Sequence, residues 1–333
     1  MFTRPDSIPD SMILTATRAG WAFDAEDADY LPAGFGSHHW IVRGQDGDRR
    51  FVTVDDLASR DFLGSEPSSA FTGLAKAFEV ARALHDHGLE RVVCPLTATD
   101  GRVLRWLDAT HSIAVFPYLE GTVTEEYESD AERRCVVALV AELHQSAKPA
   151  EAIARRETFR LPNRADLEVA LRSLDEPWFG GPYAEPARSL LREHAGGVKR
   201  ILHDYDRLVG AAGHDADNWT ITHGEPHSAN VLRTESGLRL IDWDTAMWAP
   251  RERDLWMLLP AIGPSSLADQ YTNSTGYLFN EKVLRLYALW WDLCEIGIYL
   301  AGFRESHTDT DDIRAAWRNL QMFIQADIRW PSG

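Results

Sequence analysis

Two short β-forming runs, Val231-Leu232-Arg233 and Leu238-Arg239-Leu240-Ile241, flank the turn-rich tetrapeptide Thr234-Glu235-Ser236-Gly237. This pattern predicts an antiparallel hairpin, and a hairpin constrains more than its own strands. Whichever of the usual turn lengths closes it, the residue before the first strand lies beside the residue after the second. Asn230 and Asp242 therefore become neighbours. An amide oxygen and a carboxylate held together are hard oxygen ligands, of the kind Mg²⁺ accepts while keeping waters and substrate phosphates in its shell. Such a pair suggests phosphoryl transfer.

Just upstream, His223-Gly224-Glu225-Pro226-His227 places a carboxylate five residues before the asparagine, where it faces a substrate hydroxyl. Histidine, acid, asparagine, an apolar strand pair and then Ile-Asp is the order of a kinase catalytic loop and its metal-binding aspartate. The two histidines, four apart around a glutamate, also suggest zinc. That motif needs both histidines on one helical face, however, and Gly224 and Pro226 oppose a helix there. The sequence contains no P-loop, no nucleophile elbow and no dinucleotide-binding glycine motif in a βαβ setting, which argues against hydrolase and dehydrogenase chemistry.

The motifs H-G-E-P-H-S-A-N (223–230), I-D-W-D (241–244) and R-D-L (253–255) together resemble the aminoglycoside phosphotransferase and choline kinase-like family. The usual pattern there is H-G-D-x-H-x-x-N, a strand pair, I-D-[WF]-[DE] and a later D-L. With the opening P-A-G-F-G-S-H-H-W (32–40) and the chain length, the likeness is strongest to the spectinomycin phosphotransferase-like branch. The resemblance implies an α+β, bilobal protein-kinase-like fold. Its small β-rich nucleotide-binding lobe would span residues 1–120, and a larger, mostly helical catalytic and acceptor-binding lobe residues 121–333. It also implies ATP or GTP with Mg²⁺ as cofactors, Glu225 as catalytic base, and Asn230 and Asp242 as metal ligands with Asp244 auxiliary. Asp254 would be the structural aspartate that ties its segment to the loop. The departure from the pattern at the loop acid, Glu225 for aspartate, adds one methylene; a misplacement of about 1 Å can cost on the order of a hundredfold in rate.

Along the chain, a short helical pattern before residue 30 leads into Gly34-Phe35-Gly36-Ser37, a turn whose backbone N–H groups can approach phosphates. The strand Arg50–Val54 follows. In kinase-like folds this strand carries a phosphate-gripping lysine, but here Thr53 stands in its place. The chain has only Lys76, Lys148, Lys199 and Lys282. Lys76, on a helix over 69–87 capped by Ser68 or Ser69, and three residues from Glu79, is one substitute. Arg49, Arg50 and Arg82 are others, and a solvated Lys76–Glu79 pair is the simpler reading. Further strands are expected at 92–96 and 113–119. The second runs into Glu120-Gly121, so the resemblance puts the adenine contacts at Phe116, Tyr118 and Leu119. Helices are expected at 130–146, with His144 packed or solvent-facing, and at 164–175, 185–210, 280–303 and 310–328.

Composition bounds the partners. A formal charge of −17 disfavours nucleic acid and suits a cationic small molecule, although acidic surfaces also serve solubility alone. In the family, acids on helices of the larger lobe hold ammonium groups; Asp292 and Glu295, on one helical face beside Trp291, are the candidates here. Three scattered cysteines, a polar N-terminus and no run as long as a membrane span lead us to expect a soluble cytoplasmic protein. The reading is an O-phosphotransferase acting on an aminoglycoside or aminocyclitol-like hydroxyl. The alternative, motivated by Thr53 and Glu225, is a pseudokinase that binds without transferring.

Overall fold

Along Ser37–Val42, Trp40 and Val42 alternate with residues of the opposite face, the period of a half-buried strand. The computed structural model describes residues 1–212, 218–259 and 266–325. In it this run belongs to a five-stranded antiparallel sheet of β1 (Ala25–Leu31), β2 (Ser37–Gly44), β3 (Arg49–Asp56), β4 (Arg105–Trp106) and β5 (His111–Pro117), in spatial order β1-β2-β3-β5-β4. Trp40, Val42, Val52, Val54, Ile113 and Val115 form one face of the sheet and pack with Ile13 of α1 (Asp10–Trp21). Ala114 and Phe116 take the other face, with Leu74 and Phe78 of α2 (Pro67–Asp86).

Three local expectations need correction. Residues 92–96 form no strand: Val92 makes a single bridge to Leu240, and the Leu96 N–H donates to the Val115 carbonyl at 2.7 Å. Pro95 lacks the N–H that a ladder would need there. β1, unexpected from its polar sequence A-E-D-A-D-Y-L, is an edge strand; Ala25 and Ala28 face the core, while Asp27 and Asp29 pair outward with Arg43 at 2.9 and 2.5 Å. α2 starts at Pro67 after Glu66, whose N–H donates to the Ser69 hydroxyl at 3.0 Å, so Ser69 acts from within the first turn and is not the cap.

By contacts the chain divides into two compact units, Met1–Glu157 with Asp215–Phe279, and Thr158–His214 with Asn280–Gly333. The lobe boundary expected at residue 120 lies inside the first. Besides the sheet, that unit holds α3 (Asp130–Gln145), β6 (Thr220–Thr222), β7 (Val231–Thr234), β8 (Gly237–Leu240), β9 (Met247–Ala249), α6 (Glu252–Leu258) and α7 (Ser266–Thr275). β6 pairs with β9, and β7 with β8. The second unit is helical. In it α4 (Arg164–Arg172), α5 (Ala184–Ala212) and α9 (Asp311–Phe323) pack on α8 (Glu281–Arg304). Residues 326–328 of the expected last helix lie outside the described residues. Among the described residues no helix is long and apolar enough to cross a membrane.

Trp40 is fully buried, and its indole N–H donates to Asp10 at 2.9 Å, tying α1 to the sheet. Trp40→Ala is expected to lower the unfolding free energy by about 3–5 kcal/mol, read from urea denaturation.

Candidate active site

The β7–β8 hairpin closes through Glu235-Ser236 in the register Val231↔Leu240. The Ile241 N–H then donates to the Asn230 carbonyl at 3.1 Å. Asn230 and Ile241 are thus opposite, and Asp242 follows one residue later. Asp242 adopts φ +63°, the left-handed region that a non-glycine residue keeps only when its surroundings impose it, and here it takes the chain out of the strand.

The loop before β7 is held from several sides. Asp254, fully buried, accepts the backbone N–H groups of His223 (2.9 Å) and Gly224 (2.6 Å) and pairs with His144 Nε2 at 3.0 Å. His144 in turn meets the Tyr271 hydroxyl at 2.7 Å, so it is packed and takes no part in the chemistry. Gly224 has φ +100°, and a Cβ there would meet the Arg253 guanidinium at 2.3 Å; both reasons require glycine. His223 accepts the Glu225 N–H at Nδ1 (3.2 Å) and donates from Nε2 to the Ile241 carbonyl (2.8 Å). It therefore acts as a neutral brace between loop and hairpin. Burial lowers its pKa, in keeping with that role.

Glu225 is half-buried, with its backbone pinned on both sides: its carbonyl accepts the Asn230 amide at 3.0 Å. That bond engages the Asn230 amide nitrogen, which leaves Oδ1 as the acceptor end of the side chain. Burial works to raise the Glu225 pKa, but His227, whose Nε2 lies 3.8 Å from the carboxylate, together with His223 and Arg253, outweighs it and holds the group below its usual range. Glu225 is thus ionised at neutral pH. Asp242 is held well above the usual range, by desolvation first and then by the charges of Asp244 and Glu225, although part of the residue remains open to solvent. Asp244 is pushed up to about 6 by burial, with Glu225 and Asp55 adding to it and Arg60 opposing.

Two carboxylates with raised pKa values beside an amide oxygen are a donor set short of positive charge, which fits a hard divalent cation such as Mg²⁺. Among the described residues no group of three or more His, Cys, Asp or Glu side chains is arranged to hold a metal ion by itself.

The glycine-rich turn opens β2. Ser37 donates to Asp55 at 2.7 Å. Gly36, at φ +92°, lies against the Arg60 guanidinium, which a Cβ would meet at 3.0 Å. Farther along, Phe116 packs edge-to-face on Phe78, the Arg49 guanidinium lies 4.0 Å from the Tyr118 ring centre, and Leu119 is exposed.

The strand position expected to carry a lysine is Thr53, paired with His39 on β2 and Ala114 on β5. Of the proposed substitutes, Lys76 is exposed and makes no ion pair with Glu79. Arg49 is engaged with Glu120, Arg50 with Asp48 and the Phe23 ring, and Arg82 with Asp86. A cation brought into direct contact with the site is Arg60, which no sequence motif marks. It is 7% exposed, pairs with Asp55 at 2.5 Å and Asp244 at 3.4 Å, and donates to the Ser37 hydroxyl at 2.5 Å. Trp291, Asp292 and Glu295 lie on α8 in the second unit. Asp292 is buried, and Glu295 accepts the Tyr299 hydroxyl at 2.6 Å.

This α+β fold is that of kinase-like small-molecule phosphotransferases. Spectinomycin phosphotransferase APH(9)-Ia in complex with ADP and spectinomycin superposes with a TM-score of 0.72 over 96% of this chain and 97% of that one, at 13% identity. Amicoumacin kinase hAmiN in complex with AMP-PNP, Ca²⁺ and Ami gives 0.59 over 97% and 95%, at 15% identity. The model of the Phosphotransferase enzyme family (APH) matches residues 31–287, and the chain belongs to that family. Protein StrN of Streptomyces griseus is a relative, 32% identical over 255 residues, which is 74% of this chain and 76% of that protein. Trp291, Asp292 and Glu295 lie beyond the family match.

Replacing Asp254 by Asn turns an acceptor of two backbone N–H groups and a histidine into a partial donor. The variant is expected to be at least about 3 kcal/mol less stable at pH 7. The folded-state pKa of Asp254 is depressed, chiefly by His144 against the opposing effect of burial. Its contribution is therefore present above the unfolded-state value, roughly pH 3.9, and lost as pH falls through the folded value. Urea unfolding of both proteins from pH 7 down to pH 3 should show the gap narrowing only at the acid end.

Proposed function

We propose that this phosphotransferase moves the γ-phosphoryl group of ATP to a hydroxyl of an aminoglycoside or aminocyclitol-like acceptor, with GTP as the other donor to be compared. The observation that carries the reading is the Glu225 carboxylate, ionised and braced, on the same loop-and-hairpin unit as Asn230, Asp242 and Asp244. In functional terms residues 1–120 serve the nucleotide, and residues 121–333 the chemistry and the acceptor.

Glu225 accepts a hydrogen bond from the acceptor hydroxyl and orients its oxygen toward the γ-phosphorus. As the new O–P bond forms and the bond to the β–γ bridging oxygen breaks, the hydroxyl proton passes to Glu225 and ADP leaves. Asn230 and Asp242, with Asp244, hold Mg²⁺, which when bound supplies charge neutralisation on the phosphate oxygens. The backbone around Gly34, Gly36 and Ser37 covers the phosphates, and Phe116, Tyr118 and Leu119 line the adenine. Lys76, exposed as it is, has no contact that supports a phosphate role.

For the acceptor, support comes from the net charge of −17, which draws cations into acidic clefts, and from the antibiotic kinases that share the fold. Trp291, Asp292 and Glu295 are the proposed acceptor contacts, Glu295 being the more accessible of the two acids. The same charge disfavours a nucleic-acid partner. Cys94, Cys135 and Cys294 are not joined in disulfides, in keeping with a reducing cytoplasm. No observation favours a binding protein without transfer over this reading.

The test is a screen of aminoglycosides and aminocyclitols with ATP or GTP and Mg²⁺, read by mass spectrometry for gain of one phosphate. Asp242→Ala is expected to lower turnover by about a hundredfold or more. Glu225→Gln should lower kcat while leaving the KM for nucleotide near the wild-type value. Full activity in both variants would overturn the assignment.

A further inference from the structure

Side chains two apart on a strand share a face, so Thr53 and Asp55 of β3 lie on one face of the sheet with their register partners His39 and Ser37 of β2. This face is short of hydrogen bonds. Thr53 Oγ1, His39 Nδ1 and Arg60 Nε are all buried and, among the described residues, meet no partner. Burial first, and then the nearby α-amino group, lowers the His39 pKa to about 3; the ring is neutral and does not supply the charge that Thr53 lacks.

Arg60 supplies it. Its guanidinium lies against Gly36 of the turn, donates to Ser37 and pairs with Asp55, and on its far side reaches Asp244 at 3.4 Å. It thus spans the two elements that the phosphates of a bound nucleotide must bridge, the glycine-rich turn and the carboxylates after the hairpin. An arginine there offers a planar fork of donors suited to phosphate oxygens. In this one Nε is buried, but the Nη1 contact with Asp244, at 3.4 Å, is at the limit of a hydrogen bond, and the same nitrogen faces Gly36 of the turn, so a donor remains for a ligand. Asp55 holds the guanidinium as a partner carboxylate would hold a strand lysine. A 3₁₀ turn over Leu57–Ser59 after β3, with Arg60 as its C-terminal cap, brings the side chain back to this face.

We propose that Arg60, positioned by Asp55, is the cation that binds the β- and γ-phosphates of the nucleotide, replacing the lysine absent at position 53. The proposal rests on the phosphotransferase reading above. It makes the phosphate grip a property of a loop and of a residue that remains charged throughout the physiological pH range.

Calorimetric titration with adenosine, ADP and a non-hydrolysable ATP analogue separates base binding from phosphate binding. In Arg60→Gln, adenosine affinity should match wild type, while ADP and the analogue weaken by about tenfold to a hundredfold. Arg60→Lys should retain part of that affinity, and Thr53→Lys added to Arg60→Gln should restore part of it. If Arg60→Gln fails to fold because Asp55 is left unpaired, the same comparison is read in Asp55→Asn/Arg60→Gln, where charge is removed in a pair. ADP affinity within twofold of wild type in a folded variant lacking Arg60 overturns the proposal and leaves the enzyme assignment standing. Absence of nucleotide binding by the wild-type protein overturns both.

Discussion

A single buried carboxylate holds the loop ahead of β7 in place. Asp254 accepts two successive backbone N–H groups at the start of the loop and a histidine from α3, with no exposure to water. An ionised group in that position is tolerable only because every partner is a donor. The arrangement fixes the backbone of His223 and Gly224; His223 then fixes Glu225 on one side and Ile241 on the other. The spacing between Glu225 and the hairpin that is flanked by Asn230 and Asp242 is thereby set by Asp254 and His223.

Around this frame the site is negatively overcharged. Asp55, Glu225 and Asp244 all act on Asp242, Asp55 and Glu225 act on Asp244, and Arg60 is in direct contact with Asp55 and Asp244. Burial opposes the Arg60 charge, yet Asp55, Asp244 and Asp242 outweigh it and hold its pKa above the ordinary value. The raised values of Asp242 and Asp244 report the remaining imbalance. A site of this kind is electrostatically incomplete alone and gains most from ligands that bring positive charge with them.

What could be read in advance follows from how local each signal is. The hairpin, the loop ahead of it and the amphipathic helices are contiguous in sequence, and their periodicities and turn residues announced them. The register was legible to within one residue: Ile241 rather than Asp242 lies opposite Asn230. β6 and β9, three residues each, are too short to show a period. β1 was hidden because an edge strand can carry acids on its open face. Arg60 was illegible for a deeper reason. It lies 184 residues from Asp244, in a stretch with no motif, and only the return of the chain after β3 brings it to the glycine-rich turn. His144 and Asp254 are likewise 110 residues apart, and nothing in either neighbourhood names the other.

That last separation bears on how the protein is made. His144 leaves the ribosome with its helix, but the carboxylate it pairs with follows 110 residues later, a delay of roughly 5–20 s at ordinary rates of synthesis. The first compact unit is also discontinuous, ending its first segment at Glu157 and resuming at Asp215. The nascent sheet and α3 must therefore wait, with a face meant for burial still open, while the second unit's first segment emerges. Translation speed across residues 158–214 sets how long that half-built surface is offered to chaperones or to other chains.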